Sequence, residues 1–326
     1  MSFSSEGCAQ QSEETDLRVS DLLDVWHERL SRRAETGSLA PKTLARYSNA
    51  ATQLRSSLGS YPASDVSVDD VERFLSKQTH IYSGSYVALQ RNALDQAYRW
   101  AQRNRLLTWN PAQLSTCPTQ LNYKQGTVLT APQTQTLLET TKGDRLHALW
   151  AVMLGAGLRP GEAMGLTWDC VDLNSDPSVL HVRHYLRTGK DGVFLGQPKT
   201  AQSARSLDLP DFVVDALRAH AETSETRAEG AWRDLVFATS SGTPYAHRNL
   251  RRALKRVCAN AGLPSLTLYD LRRTAGSLLV DAGVHLECVA DLLGHSSVAT
   301  TRRHYVRAVR PTVPHAKQMD TVMSSR

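Results

Sequence analysis

The feature that most constrains this fold is an aperiodic stretch near the middle of the chain. Residues 115–127 show neither helical nor strand spacing of apolar side chains, and they contain Pro118 and Gly126, which is typical of a linker. Helical patterns lie on both sides of it, and 326 residues are enough for two ordinary domains. The sequence therefore predicts a helical domain over residues 17–115, a linker over 116–128 and a second domain over 129–310.

The first predicted domain has only helical periodicity. Apolar residues at helical spacing begin at Leu17, break at Gly37 and resume at Pro41. Ser67 precedes a helix with acidic residues in its first turn, which favours Ser67 as the N-cap. A longer helix is expected over residues 85–104. Its arginines, taken singly, fit a solvated face, but as a group they are candidates for contacts to a nucleic-acid backbone.

The second predicted domain mixes helices with short strands. Thr130 is expected to open a helix, because Pro132 follows in the first turn. After Trp168 the pattern changes to β-like runs at residues 179–186, 193–195 and 205–209. Helical patterns return at residues 212–224, 246–261, 269–282, 286–293 and 298–308. The expected fold class is mainly α with a small antiparallel β-sheet.

Composition sets weaker limits on function. The chain has 38 Lys and Arg against 32 Asp and Glu, a net charge of +6, which is compatible with a polyanionic partner without establishing one. The five cysteines are scattered and form no C-x-x-C pair, so neither a disulfide framework nor a zinc site is indicated. No apolar run approaches the ~18 residues of a membrane span. We expect a cytoplasmic protein with no membrane partner and with a disordered leader over residues 1–16.

Three distant segments place polar residues beside tight turns. In residues 157–162, Arg159 stands before Pro160, where its guanidinium either enters a cleft or forms a helix-end ion pair with Glu162; these two interpretations are equally weighted. In residues 268–274, Tyr269 and Arg272 are three apart, so they are expected on one helix face. A core tyrosine with surface arginines is the simpler interpretation of that segment alone.

The third segment runs from residue 292 to Tyr305. Gly294 is expected to be a helix C-cap, Ser296 or Ser297 the next N-cap, and His295 to be exposed between them. A histidine in such a turn is more often structural than catalytic.

Together the segments resemble the signature of the tyrosine recombinases, the phage integrase family. The matching motifs are G-x-R-x-x-E at 157–162, D-L-R-x-T at 270–274, L-G-H-S-S-x-x-T-T at 293–301, and a tyrosine ten residues after the histidine. The resemblance extends over about residues 17–308. It implies an all-helical core-binding (SAM-like) domain followed by a tyrosine recombinase catalytic domain, with residues 311–326 as a C-terminal tail that packs on a neighbouring protomer.

The resemblance also implies roles for individual residues. Arg159 and Arg272 correspond to the two catalytic arginines, His295 to the late histidine and Tyr305 to the nucleophile. Lys199 is similar to the family's β-hairpin lysine, with Lys190 as a weaker rival. Glu162 resembles the acid that supports the first arginine. No cofactor and no metal are implied.

One position departs from the pattern. Tyr269 stands where most members have a histidine, and a phenol with an ordinary pKa near ~10 is a poor general base at neutral pH. The departure leaves the acceptor of the nucleophile's proton open.

The implied function is site-specific DNA recombination through a 3′-phosphotyrosyl intermediate, without metal or ATP. The implied partners are a duplex recombination site, three further copies of the chain in a tetrameric synapse and a possible accessory directionality factor. A non-catalytic DNA-binding relative, favoured by Tyr269 alone, and a type IB topoisomerase are the alternatives. Sixteen polar residues before Leu17 are too few for an arm-type DNA-binding domain, so we expect a simpler recombinase or a mobile-element integrase.

Overall fold

The computed structural model describes residues 17–118, 126–189, 192–197, 204–223, 232, 234–295 and 297–305. The chain forms two compact units, residues 1–124 and 125–326, and the division falls within the predicted linker. The leader at 1–16, the tail at 311–326, Lys190 and Lys199 lie outside the described residues.

Over its described residues the first unit has helices as its regular elements and one isolated antiparallel bridge between Arg18 and Pro62. Its helices are α1 (Val19–Glu35), α2 (Pro41–Leu58), α3 (Val68–Thr79), α4 (Gly84–Arg103) and the short α5 (Pro111–Leu114). The predicted break at Gly37 and restart at Pro41 are confirmed. Ser67 is the N-cap of α3, where its hydroxyl accepts a hydrogen bond from the Asp70 amide. One apolar cluster, with Tyr98 fully buried in it, joins these helices.

The second unit surrounds small sheets with helices. The helices are α6 (Ala131–Thr140), α7 (His147–Gly155), α8 (Pro160–Met164), α9 (Asp211–Thr223), α10 (His247–Asn260), α11 (Leu268–Asp281), α12 (Leu286–Leu293) and α13 (Val298–Tyr305). The strands are β1 (Val171–Asp172), β2 (Val179–Val182), β3 (Tyr185–Gly189), β4 (Gly192–Gly196) and β5 (Arg205–Asp208).

The strands form two sheets, which corrects the prediction of one run over residues 179–186. That run divides at Arg183 and His184: β2 pairs with β1 and β5 in a three-stranded antiparallel sheet, whereas among the described residues β3 pairs with β4 alone, as a hairpin. β-forming apolar residues stand on both sides of Arg183 and His184, so the pattern predicts a single run. β1 has only two residues, too few for a periodicity.

Helix α7 forms the centre of the second unit. Residues 148–154 are all buried, with Trp150 fully so, and α9 and α11 pack against this helix. A helix that is apolar on every side gains stability only in such a position. Since α7 is held rigidly, the turn that follows it and carries the first motif is held as well.

None of the helices in the described part of the chain is both long and apolar enough to cross a membrane.

Candidate active site

The turn between α7 and α8 brings the three sequence motifs together. Gly157 has a φ of +59°, and a Cβ there would lie 2.8 Å from Cδ2 of Leu293. The left-handed backbone favours glycine, and any larger residue would also displace the Leu293 side chain. The carbonyl of Gly157 accepts a hydrogen bond of 2.8 Å from Nη1 of Arg272. The first motif therefore touches the second through a carbonyl and the third through α12.

Arg159 is the N-cap residue of α8 and forms the helix-end ion pair that was one of the two interpretations of its role. Its Nη1 lies 2.7 Å from Oε1 of Glu162, and its backbone amide donates to Oε2 of the same carboxylate at 2.9 Å. Its Nη2 donates to the carbonyl of Gly294 at 2.6 Å. The side chain is still 32% exposed. The ion pair thus orients the guanidinium without burying it.

Arg272 lies deeper than Arg159. It is 4% exposed, and besides Gly157 its guanidinium donates to the carbonyl of Leu293. A buried arginine must satisfy its donors within the protein, because desolvating the charge is otherwise costly. These carbonyls therefore fix the plane of the Arg272 guanidinium.

A third arginine, absent from the predicted site, completes the arrangement. Arg205, the first residue of β5, donates from Nε to the carbonyl of Leu292 at 2.6 Å and from Nη2 to Oε2 of Glu162 at 3.0 Å. Its contacts lie 43 and 87 residues away. The only sequence signal for it was an arginine shortly after Lys199, and such a signal does not distinguish it from a surface residue.

The end of α12 receives these guanidinium groups. Gly294 has the left-handed conformation of a helix C-cap, as predicted, and the carbonyls of residues 292, 293 and 294 face Arg205, Arg272 and Arg159 respectively. The last carbonyls of a helix lack partners in the helix and carry its negative partial charge. Three cations are therefore well placed there.

Glu162 is the acidic centre of this cluster. Burial acts to raise its pKa, but Arg205 and then Arg159 lower it by more, so the pKa of Glu162 lies below its ordinary value. The carboxylate is consequently ionised at neutral pH.

His295 lies at the open side of the cluster. It is partly buried rather than exposed as predicted, because its Nδ1 lies 2.9 Å from the hydroxyl of the fully buried Thr301. Ser297 is the N-cap of α13: its hydroxyl accepts from the Ala299 amide. An open cleft of about 210 Å³ is lined by Arg205, Asp291, Gly294 and His295.

The remaining predicted site residues are Tyr305, Tyr269 and Lys199, and the structure describes only one of their side chains, that of Tyr269. Tyr305 is the last residue of α13, which packs against α11 and α12, and the structure describes its backbone only. Tyr269 is 57% exposed, in contrast to the buried Arg272 three residues later. Lys199 and its rival Lys190 are outside the described residues. Within the described part, no cluster of three or more His, Cys, Asp and Glu side chains could hold a metal ion.

Chemically, the site suits an anion. The guanidinium planes of Arg159 and Arg272 are both fixed by hydrogen bonds, and Arg159 is partly exposed whereas Arg272 is buried. They lie near the imidazole of His295 and the helix that ends at Tyr305. Guanidinium groups offer paired donors that match the oxygens of a phosphate.

Comparisons with known proteins agree on one family. A model of the phage integrase family matches residues 127–310. An integrase from Streptomyces ambofaciens is 31% identical over 271 residues, which cover 78% of this chain and 68% of that protein. The tyrosine recombinase XerC of Alcanivorax borkumensis is 25% identical over 282 residues, covering 84% of this chain and 86% of that protein.

Solved structures share the fold over most of the chain. The Tn1549 transposon integrase in complex with transposon right end DNA has a TM-score of 0.79, covering 95% of this chain and 100% of that one at 19% identity. A λ integrase tetramer bound to a Holliday junction has a TM-score of 0.65, covering 88% and 80% at 18% identity. At these identities the likeness concerns the fold.

Fold and site together define an enzyme that transfers DNA strands. The chain belongs to the phage integrase family, since the family model covers more than half of it. It is a site-specific recombinase of the tyrosine type, as the resemblance of its motifs implied; the non-catalytic and topoisomerase alternatives are not favoured.

Proposed function

We propose that Tyr305 is the nucleophile of this recombinase and that Arg159 and Arg272 hold the scissile phosphate. The observation that carries the proposal is the convergence of both guanidinium groups and His295 on the end of α12, beside the helix that ends at Tyr305. Residues from three motifs that are distant in the sequence thus lie together at one helix end.

The chemistry follows from the residue types. The Tyr305 oxygen forms a bond to phosphorus while the bond to the 5′ oxygen breaks, which leaves a 3′-phosphotyrosyl intermediate and a free 5′-hydroxyl. Negative charge grows on the non-bridging oxygens, and permanently charged arginines offset it without any proton transfer. A 5′-hydroxyl from the partner strand then reverses the step and reseals the DNA.

Proton transfer involves two further residues. Lys199 protonates the departing 5′ oxygen as general acid, in agreement with the resemblance. His295 donates to the phosphate or assists removal of the Tyr305 proton, and its bond to Thr301 sets the ring orientation for either role. Glu162 acts only through Arg159, by orienting that side chain.

Helix α10 is proposed to contact the DNA backbone. Leu250, Leu254 and Val257 are buried on one side of it. The other side exposes a stripe of cations at helical spacing, formed by Arg248, Arg251, Arg252, Lys255 and Arg256. The helix contains no Asp or Glu. A cationic stripe without acidic partners favours binding to a polyanion over a merely solvated face.

The assembly is proposed from the relatives. The helical domain at 17–115 and the catalytic domain at 129–310 grip one duplex site, and four protomers exchange strands between two sites. One related integrase was solved as a tetramer on a Holliday junction. The tail at 311–326 joins neighbouring protomers. An accessory factor sets the direction of recombination, and the reaction takes place on DNA in the cytoplasm.

Covalent trapping tests the proposal. The duplex site is first selected from random DNA with the purified protein. A version with a nick close to the cleavage point is then used as substrate. The short fragment released by cleavage diffuses away, so that the covalent intermediate cannot reseal. We expect wild type to form a protein–DNA adduct resistant to denaturant and Tyr305→Phe to form none while binding the same duplex.

Tyr245→Phe is the control, a partly buried tyrosine of the same unit, and it should react normally. An adduct with Tyr305→Phe would overturn the assignment of the nucleophile. Binding by wild type without any adduct would overturn the catalytic role itself.

A further inference from the structure

Arg205 is enclosed in the cluster behind the proposed phosphate site. Its side chain is 7% exposed. Its terminal nitrogens face both oxygens of Glu162, at 3.0 and 3.4 Å, and Nε donates to the Leu292 carbonyl. Strand β5 fixes its backbone, since Arg205 pairs in register with Val182 of β2. The sheet thus places a second cation, besides Arg159, against the carboxylate of Glu162.

The first consequence concerns charge. Glu162 lies between Arg159 and Arg205, so one carboxylate is shared by two cations and one positive charge is left over. If Arg205 were absent, Glu162 would neutralise Arg159 alone. A neutralised Arg159 attracts a phosphate less strongly, particularly in a site with little water.

The second consequence concerns position. Arg205, Arg272 and Arg159 bind three successive carbonyls, those of residues 292, 293 and 294, and His295 comes next. Arg205 holds the first of these carbonyls. It therefore fixes the start of the turn that places the other two arginines relative to His295.

We propose that Arg205 is a positioning residue for strand cleavage, which offsets the charge of Glu162 and anchors the end of α12 so that Arg159 stays available to the phosphate. The inference rests on the proposed function of Arg159. Arg205 itself does not touch the DNA in this role.

A buried ion pair that only supports folding is the competing explanation. The two differ in whether the loss of rate requires a loss of folded protein. If Arg205 only supports the fold, the rate of each variant falls only as far as its folded fraction falls, and removing Glu162 as well restores the rate only as far as it restores folding, because no buried charge is then left uncompensated. If Arg205 keeps Glu162 from neutralising Arg159, removing Glu162 restores part of the activity.

The experiment compares Arg205→Gln, Glu162→Gln and the double variant by the rate of adduct formation on the nicked duplex. We expect Arg205→Gln to react about 100-fold more slowly, as small misplacements in a reacting site do, with unchanged duplex affinity. The double variant should recover on the order of tenfold relative to Arg205→Gln, a usual coupling between contacting residues.

Two further variants keep the test decisive. Arg205→Lys retains the charge but cannot span both Glu162 and the Leu292 carbonyl, so its rate should lie between those of wild type and Arg205→Gln. Arg218→Gln is the control, because Arg218 also donates to a backbone carbonyl, that of Leu173, and its rate should equal that of wild type. Thermal unfolding of each variant identifies any that does not fold, and in that case Arg205→Lys and the double variant are compared directly.

The outcomes separate this inference from the function on which it rests. Losses that add in the double variant, or an Arg205→Gln rate equal to that of wild type, would overturn the role of Arg205. An absence of adduct with wild type would overturn the proposed function instead.

Discussion

Nδ1 of His295 lies 2.9 Å from the hydroxyl oxygen of Thr301, whose side chain is fully buried. This contact joins the turn after α12 to the helix that ends at Tyr305. The contact fixes the orientation of the imidazole ring and so the direction in which the other ring nitrogen faces, and because a hydroxyl can donate or accept, it suits either tautomer.

Replacing that hydroxyl should impair cleavage more than folding. Thr301→Val keeps the side-chain shape but removes the partner of Nδ1, so we expect adduct formation to slow roughly tenfold, the effect of one lost hydrogen bond. Single-turnover cleavage of the nicked duplex measures this. Thr140→Val, which removes a hydroxyl bonded to its own helix, is the control; an unchanged rate in Thr301→Val would mean that the contact does not orient the catalytic ring.

Restoring the family's usual histidine should be tolerated. Tyr269 is 57% exposed at the start of α11, so Tyr269→His fits without repacking, and an imidazole titrates closer to neutral pH than a phenol. We expect cleavage as fast as in wild type or faster, measured between pH 6 and 8. Loss of cleavage with normal DNA binding would show that the phenol has a role of its own.

The cationic stripe of α10 should account for part of the salt dependence of DNA binding. The double variant Arg251→Gln/Lys255→Gln removes two exposed cations, and each lost phosphate contact lowers the slope of log K against log salt by about one. Fluorescence anisotropy over a range of salt concentrations should therefore give a slope smaller by about two. Lys142→Gln, which removes a single exposed cation outside α10, serves as control, and an unchanged slope in the double variant would remove α10 from the interface.

Glu162 should make the second unit sensitive to acid. Its pKa is lowered in the fold, so the stabilisation is complete above the ordinary pKa of a glutamate, near 4.5, and is lost as the pH falls through the lower folded value. Glu162→Gln should be less stable by roughly 3 kcal/mol at neutral pH, and this difference should shrink below pH 4.5. The difference in the free energy of unfolding is measured by urea unfolding at each pH, and pulsed amide exchange follows the folded fraction of α7. A difference independent of pH would contradict the charge-based explanation.

Much of the fold was predictable because its signals are local. The Ser67 cap, the Gly294 C-cap and the start of α8 at Pro160 each depend on residues within one turn. The motifs around Arg159, Arg272 and His295 were recognised as short patterns, and their meeting followed from the family resemblance alone.

The features that the sequence did not predict depend on residues that are distant in the chain. The division between β2 and β3 is set by which strands pair with them, and Arg205 acquires its surroundings only when β5, α8 and α12 pack together. The burial that separates Tyr269 from Arg272, three residues apart on one helix, comes from neighbouring elements. Spacing on a helix indicates a face but does not determine what covers it.

The turn at residues 292–294 has a wider consequence for how this enzyme fails. Since three guanidinium groups bind carbonyls of one helix end, unwinding that single turn would remove a hydrogen bond from each of them at once. Damage to the turn would thus impair cutting and resealing together, and for a protein that breaks DNA this is a safer error than cutting without resealing.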